Sequence, residues 1–447
     1  MTTPPQPSEP RALLWLAGPL MLQQAGNHLM GVVDSAMLGR YSDAALAGAG
    51  VGNNVYFAIS CVGMGIVMGL DTLVPQALGG GRHDDARRYV GAGVRLAILV
   101  GLVATLLVML SPWVLVLADV DREVFHEARA YLYMRALGVV PFLLTIALRS
   151  YLAARGRTRP LVLAMIIGNV VNAGLDLALI YGVPALGIPA LGVVGAAVAT
   201  TAVTAVTAVL YAIAVRDLDR GAQRPRSSAA DLVQIARYGG PVGGQLLAEV
   251  GIFGVATVLA AHIGKIPAGA HSIALGLSSL TFSCALGISA ATSVRVGHAV
   301  GAGDLALARR RGLMGIGLGL VVMACFAIMF LVIPRTLAAL VTDEAAVIAA
   351  TIPLMQIAAL FQLSDGTQVI GAGALRGLGH TRATLWGNLL GHYVIGLPLM
   401  LGLAFGEALG APGLWWGLSV GLTATAVFLV LRFLHGTRVR STSRSPR

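Results

Sequence analysis

The chain is built almost entirely from apolar runs long enough to cross a bilayer. A membrane-spanning helix needs about 20 mostly apolar residues, and twelve such stretches follow one another here. They are Leu13–Leu38, Leu46–Leu78, Val90–Ala118, Tyr131–Ala153, Leu161–Tyr181 and Leu191–Val215, then Leu232–Ile263, Ala268–Val300, Gly312–Ile333, Val347–Leu375, Ala383–Phe405 and Gly413–Phe433. Lipid supplies no hydrogen-bond partners, so a spanning backbone is either helical or a closed barrel. Runs of this length without period-2 alternation exclude the barrel. Several exceed 25 residues, which predicts tilt, kinks or extension beyond the bilayer. The composition agrees, with 57% hydrophobic and 11% charged residues against about 25% charged in a soluble domain. The expected fold class is an all-α integral membrane protein with twelve transmembrane helices.

Arginine placement sets the orientation. Alternate connections carry Arg82, Arg87 and Arg88; Arg155, Arg157 and Arg159; Arg216, Arg220, Arg224 and Arg226; Arg309, Arg310 and Arg311; and Arg376 with Arg382. Arg11 at one end and Arg438, Arg440, Arg444 and Arg447 at the other belong with them. The opposite connections hold Arg40, Arg122, Arg129, Lys265 and Arg335, often beside acids such as Asp119, Asp121, Glu123, Asp343 and Glu344. An even number of helices with basic tails on one side places both termini in the cytoplasm. Thirty arginines against one lysine suggest a GC-rich bacterial genome, and hence a bacterial inner membrane. The first ten residues, MTTPPQPSEP, precede Arg11 without a basic region or an A-x-A cleavage site, so 1–11 reads as a disordered cytoplasmic tail and not a signal peptide.

Several function classes fall away. The net charge of +11 does not signal nucleic acid, because the arginines lie between hydrophobic runs and form no basic face with interleaved aromatics. Cys61, Cys284 and Cys325 give neither a disulfide framework nor zinc-ligand spacing. No H-E-x-x-H, G-x-S-x-G or Walker-type loop is present, so the chain is not expected to be an enzyme or an ATP-driven pump. No cofactor is expected, and a monomer is.

The two halves repeat at an offset near 220. QALGGGRHDDARR (Gln76–Arg88) aligns with HAVGAGDLALARR (His298–Arg310), Gly168-Asn169 with Gly387-Asn388, and Gly192 and Gly195 with Gly410 and Gly413. Three ordered matches favour duplication over chance similarity among Gly/Ala/Leu-rich helices. Six helices per repeat bring both repeats in from the same side, so their axis should run along the membrane normal, as in some secondary transporters. The resulting division is an N-lobe at 12–215, a cytoplasmic linker at 216–231, a C-lobe at 232–434 and a basic cytoplasmic tail at 435–447.

Five acids lie inside the apolar stretches: Asp34, Asp71, Asp176, Glu249 and Asp365. Each costs about 2.5–3.5 kcal/mol at a helix centre facing lipid, so they should face the interior or a wet cavity. Asp71 is expected to be a helix-end or neighbour-satisfied acid. In the N-terminal half Asn169, Asn172 and Asp176 share one helical face, and Gln24, Asn27 and Asp34 share another. Thr200, Thr204 and Thr207 repeat with the same period and read individually as interhelical packing. Carboxylates with amide and hydroxyl oxygens suit a proton or a small hard cation. In the C-terminal half Gln245 and Glu249 are one turn apart with Phe253 beyond them, and Gln362 and Asp365 are three apart. No basic partner is expected near Asp34 and Asp176. Arg135 is expected to snorkel to the outer surface, and His262 and His271 to be interfacial.

With these motifs in hand, the chain resembles the multidrug and toxic compound extrusion (MATE) family, particularly its NorM-like branch, from about Arg11 to Phe433. The carriers are VDSAMLGR (Val33–Arg40), DTLVPQALGGGR (Asp71–Arg82), GNVVNAGLDLALIYG (Gly168–Gly182), LGVVGAAVATT (Leu191–Thr201), GGPVGGQLLAEVGIF (Gly239–Phe253) and SDGTQVIGAGALRGLGHT (Ser364–Thr381). The resemblance implies two pseudosymmetric six-helix bundles in a V around a central cavity, with alternating access driven by H+ or Na+. It implies an N-lobe cation or proton site at Asp34, Asn172, Asp176 and Thr200, where Na+ is one candidate ion, and C-lobe acids at Glu249 and Asp365. Gln24, Asn27, Asn169, Gln245, Phe253, Phe361 and Gln362 are the expected cavity residues. Phe361 departs from relatives that carry a tyrosine one turn before the acid matching Asp365. The expected activity is cation-coupled export of amphiphilic, often cationic, compounds out of the cytoplasm, with membrane lipid as surroundings. The rival readings are a lipid-linked oligosaccharide flippase, which would favour interior bases over acids, and a non-transporting sensor or structural protein.

Overall fold

The structure is a computed structural model that describes residues 8–116, 121–222 and 225–438. Residues 1–7 of the expected tail, Asp119, Arg224, Arg440, Arg444 and Arg447 lie outside the described residues. Sixteen α-helical segments follow in chain order. The N-terminal half holds α1 (Glu9–Tyr41), α2 (Asp43–Val67), α3 (Leu70–Gly79), α4 (His83–Leu115), α5 (Arg122–Ala136), α6 (Val139–Ala154), α7 (Arg159–Ile180) and α8 (Val193–Leu218). The C-terminal half holds α9 (Ala229–Ile263), α10 (Lys265–Gly301), α11 (Leu305–Val332), α12 (Pro334–Ala339), α13 (Ala345–Leu378), α14 (Thr381–Asn388), α15 (Leu397–Leu401) and α16 (Ala411–Gly436). Two π-helical turns, Leu389–Gly396 and Gly402–Gly406, flank α15.

Ten of the described helices are long and apolar enough to cross a membrane, counting α2 with α3, and α14 through the second π-helical turn, as one each. The pair α5 and α6, bent by 49°, makes an eleventh span. The 33-residue α1 completes the twelve; it is the most polar, carrying Gln23, Gln24, Asn27, His28 and Asp34. The fourth expected stretch, Tyr131–Ala153, is therefore not one straight rod. Its helix starts at Arg122, where Asp121 caps the backbone N–H groups of Glu123 and Val124, and breaks at Leu137–Gly138.

Local geometry bears the mark of the repeat. Gly192 (φ +53°) and Gly410 (φ +62°) both have positive φ immediately before α8 and α16, a backbone conformation that costs an L-residue about 1–3 kcal/mol. Three residues on, Gly195 and Gly413 lie against backbone: an added Cβ would come within 2.5 Å of the Leu179 carbonyl oxygen and 2.6 Å of the Ala404 nitrogen. The same steric requirement recurs at the same offset, so the glycine matches reflect two copies of one helix–turn–helix contact.

Packing divides the chain into two compact units. The first, here the N-unit, comprises Gly18–Leu70 and Asp84–Val250; the C-unit comprises the chain up to Ala17, Asp71–His83 and Gly251 onward. The N-unit holds an apolar core around Leu38, Ala45, Tyr131, Ile180 and Ala196. The C-unit core gathers Ile252, Phe330, Met355, Phe361, Trp415 and Leu418. Within the C-unit, Glu9 accepts hydrogen bonds from Arg311 Nη2 (2.8 Å) and Nε (3.0 Å) and also pairs with Arg295. Helix thus begins at Glu9, inside the segment expected to be a tail.

Candidate functional site

In the N-unit, α7 turns Asn172 and Asp176 inward, both fully buried. Neither polar atom of the Asn172 amide has a hydrogen-bond partner, and the Asp176 oxygens face no donor other than the Asp34 carboxyl. The Asp34 carboxyl, on α1, is the electrostatic neighbour of Asp176. Thr200, on α8, completes the group, its hydroxyl 2.8 Å from Asp34 Oδ2 and 2.9 Å from the Ala196 carbonyl. One hydroxyl carries one proton. When Thr200 donates to an ionised Asp34 it stabilises the charge. When it donates to Ala196, its lone pair faces Asp34, which then must donate. The arrangement therefore accommodates Asp34 with or without a proton. Among the described residues no three His, Cys, Asp or Glu side chains converge as a metal site, so a bound cation would draw on the Asn172 and Thr200 oxygens beside the two carboxyls, all hard donors suited to a small cation.

The expected face-sharing residues part company. Asn169 is half-buried and donates to the Met165 carbonyl. Gln24 accepts from Arg149 Nη1 at 3.3 Å, and Asn27 is exposed. Thr204 bonds the Thr200 carbonyl within its own helix, consistent with packing. On α9, Gln245 is buried and its amide donates to Glu249 Oε1 at 3.0 Å.

Two expectations about bases are corrected. Arg135 does not snorkel: it is 8% exposed, its guanidinium stacks 4.2 Å over the Tyr56 ring, and its charge acts on Asp34. It lies on the face of α5 that packs on α2, which apolar periodicity does not report. Asp34 thus has a basic neighbour, although no ion pair within 4.0 Å joins them among the described residues. Arg376, counted as a connection charge, is buried in α13 and donates to Ser289 Oγ. Even so, four acids (Asp71, Asp176, Asp231 and Asp365) but only two arginines are buried among the described residues.

In the C-unit, α13 buries Phe361, Gln362 and Asp365. Phe361 packs edge-on against Trp415 (5.3 Å between centroids) and Phe253 (6.1 Å), and Gln362 donates to Thr281. His271, expected at the interface, is fully buried against Trp415, within 3.2 Å of the Thr257 hydroxyl. Sequence reading missed Trp415 and His392. Both lie in apolar stretches where a single polar-tipped ring carries little pattern.

The MatE family model matches residues 19–178 and again 241–401. The chain belongs to this family. The matched segments begin 222 positions apart, so the family signature is present once in each half. A "Probable multidrug resistance protein NorM" of Deinococcus radiodurans is 38% identical over 453 residues, covering 98% of this chain and 99% of that one. Another protein so described, from Pseudomonas putida, is 35% identical over 437 residues, with 95% and 94% covered. The crystal structure of the eukaryotic MATE transporter AtDTX14 superposes with a TM-score of 0.87 at 21% identity, covering 95% of each chain. The MATE fold is thereby established for this multi-pass membrane protein, and the family is one of membrane transporters.

Proposed function

We propose that this chain exports amphiphilic, often cationic, compounds from the cytoplasm of a bacterium, exchanging them against inward H+ or Na+ by alternating access. The bodies that alternate are the lobes at 12–215 and 232–434, with both termini cytoplasmic. Asp34, Asn172, Asp176 and Thr200 hold the coupling cation; Glu249 and Asp365 are the further acids of the cycle. Gln24, Asn27, Asn169, Gln245, Phe253, Phe361 and Gln362 line the path of the compound. The relatives described as multidrug resistance proteins support the substrate class.

The observation that carries the reading is the pair of neighbouring carboxyls in the N-unit, with both Asp176 oxygens buried and facing no donor other than the Asp34 carboxyl. A fold does not bury such groups for stability, and they gain their missing partner when a cation arrives. Occupancy couples to export only if cation and compound favour different states of the protein. The test is efflux from proteoliposomes under separately imposed pH and Na+ gradients. A gradient of either ion should drive uphill movement of a cationic dye, and failure of both refutes the proposal.

A further inference from the structure

The C-unit buries polar atoms that this carboxyl chemistry leaves unused. Both ring nitrogens of His392, Nδ1 of His271, Nε1 of Trp415 and Oε1 of Gln362 are buried without hydrogen-bond partners. They adjoin one aromatic chain: His271 stacks 5.9 Å from Trp415, Trp415 5.3 Å from Phe361, and Phe253 stands 6.1 Å from Phe361 and 6.4 Å from His392. His271 at least meets Thr257 through Nε2. His392 meets nothing at either end and is 1% exposed. A neutral imidazole carries one donor and one acceptor, so both are stranded, the costly arrangement that folded proteins keep chiefly where another partner comes and goes.

The backbone at this point is also unusual. His392 sits in the π-helical turn Leu389–Gly396, a geometry that is rare and concentrated at functional sites. Gly391 holds the turn tightly on α16, where an added Cβ would fall 1.9 Å from Thr425 Oγ1. The elements around His392 carry few titratable groups. α9 presents Phe253 with Glu249 one turn before it and Gly251 against the Tyr393 hydroxyl, α16 has no titratable residue before Arg432, α15 has none, α14 has only Arg382 in its first turn, and the turn itself adds Tyr393.

We propose that His392 is a proton-binding site of this chain, loaded through a water during the transport cycle. A hydronium passes its proton to the unprotonated ring nitrogen, leaving an imidazolium and a water that accepts from the new N–H. Unloading reverses the step. The proposal rests on the exchange reading above and names the proton as one of its ions.

The test compares wild type with His392→Asn and His392→Phe in proteoliposomes, alongside Asp34→Asn. Under a pH gradient both His392 variants should lose at least tenfold in dye efflux, while dye affinity measured by quenching in detergent changes less than threefold. Wild-type rates from either variant overturn the proposal. So does wild-type efflux that responds to Na+ and ignores pH, a result that needs no variant to fold. If Asp34→Asn retains efflux while His392→Asn loses it, the carboxyl reading fails and this one stands; the opposite pattern removes this one alone.

Discussion

The Glu9 clasp offers the most direct check on how the chain is tied together. One carboxylate accepts two bonds from Arg311, at 2.8 and 3.0 Å, and pairs with Arg295, while Arg311 Nη1 also bonds the Arg295 carbonyl. Glu9→Gln keeps the shape and removes the charge, leaving two guanidiniums together with one amide oxygen between them. Hydrogen bonds to charged groups contribute about 1.5–3 kcal/mol each when buried. These side chains are 16–23% exposed, and the amide retains one bond, so the net loss should be about 2–3 kcal/mol after screening. For a chain of this size that is roughly 2–3 °C in Tm, read by size-exclusion thermal stability in detergent. Arg311 beside Glu9, foremost, and Arg295 hold its carboxyl below the ordinary value of 4.5. A depressed carboxyl contributes stability that is complete above its unfolded pKa and is lost as pH falls through the folded one. The gap between wild type and Glu9→Gln should therefore be full at neutral pH and close below pH 4.5. Adding Arg295→Gln should recover part of the loss by removing one of the two facing cations. Equal stability of wild type and Glu9→Gln at pH 7 would refute the reasoning.

Asp34→Asn and Asp176→Asn should each abolish drug resistance in whole cells while the protein reaches the membrane at wild-type levels; resistance surviving in both would refute the coupling role. Thr200→Val, which removes the hydroxyl 2.8 Å from Asp34, should slow efflux by roughly tenfold or more, and Thr200→Ser should restore it; equal rates in all three would assign Thr200 to packing. Gly195→Ala and Gly413→Ala should both fail to accumulate, since each new Cβ would sit within 2.6 Å of backbone. Gly50→Ala, with nothing within 4 Å, should be neutral or gain up to about 1 kcal/mol from helix propensity; normal yields of the first two would count against the close contacts.

Much of the architecture was legible because a bilayer permits so few answers. Runs of twenty apolar residues must become helices, and the repeated glycines at 192 and 410 announced repeated turns that the backbone confirms with positive φ at both. The polar periodicity of α7 likewise put Asn172 and Asp176 on one face, and both are buried. What that periodicity does not report is how neighbouring helices rotate and bend. Leu137–Gly138 breaks the fourth span by 49°, and Arg135, just before the break, lies over Tyr56 within the field of Asp34. The break has a local cause, since Pro141 has no N–H to return to the Leu137 carbonyl and Gly138 stands at the bend, but neither residue alters the apolar spacing.

Sequence alone thus determined that this protein lives in a membrane, how many times it crosses, that it is doubled, and which acids lie inside. Only the tertiary structure decided which of them meet: Asp34 with Asp176 and Thr200, Gln245 with Glu249, and Glu9 with two arginines about 300 positions away. Burial in lipid acts on each segment separately and is written in its composition. Hydrogen bonds and charge pairs act over a few ångströms between segments remote in the chain, so they exist only once the helices have packed.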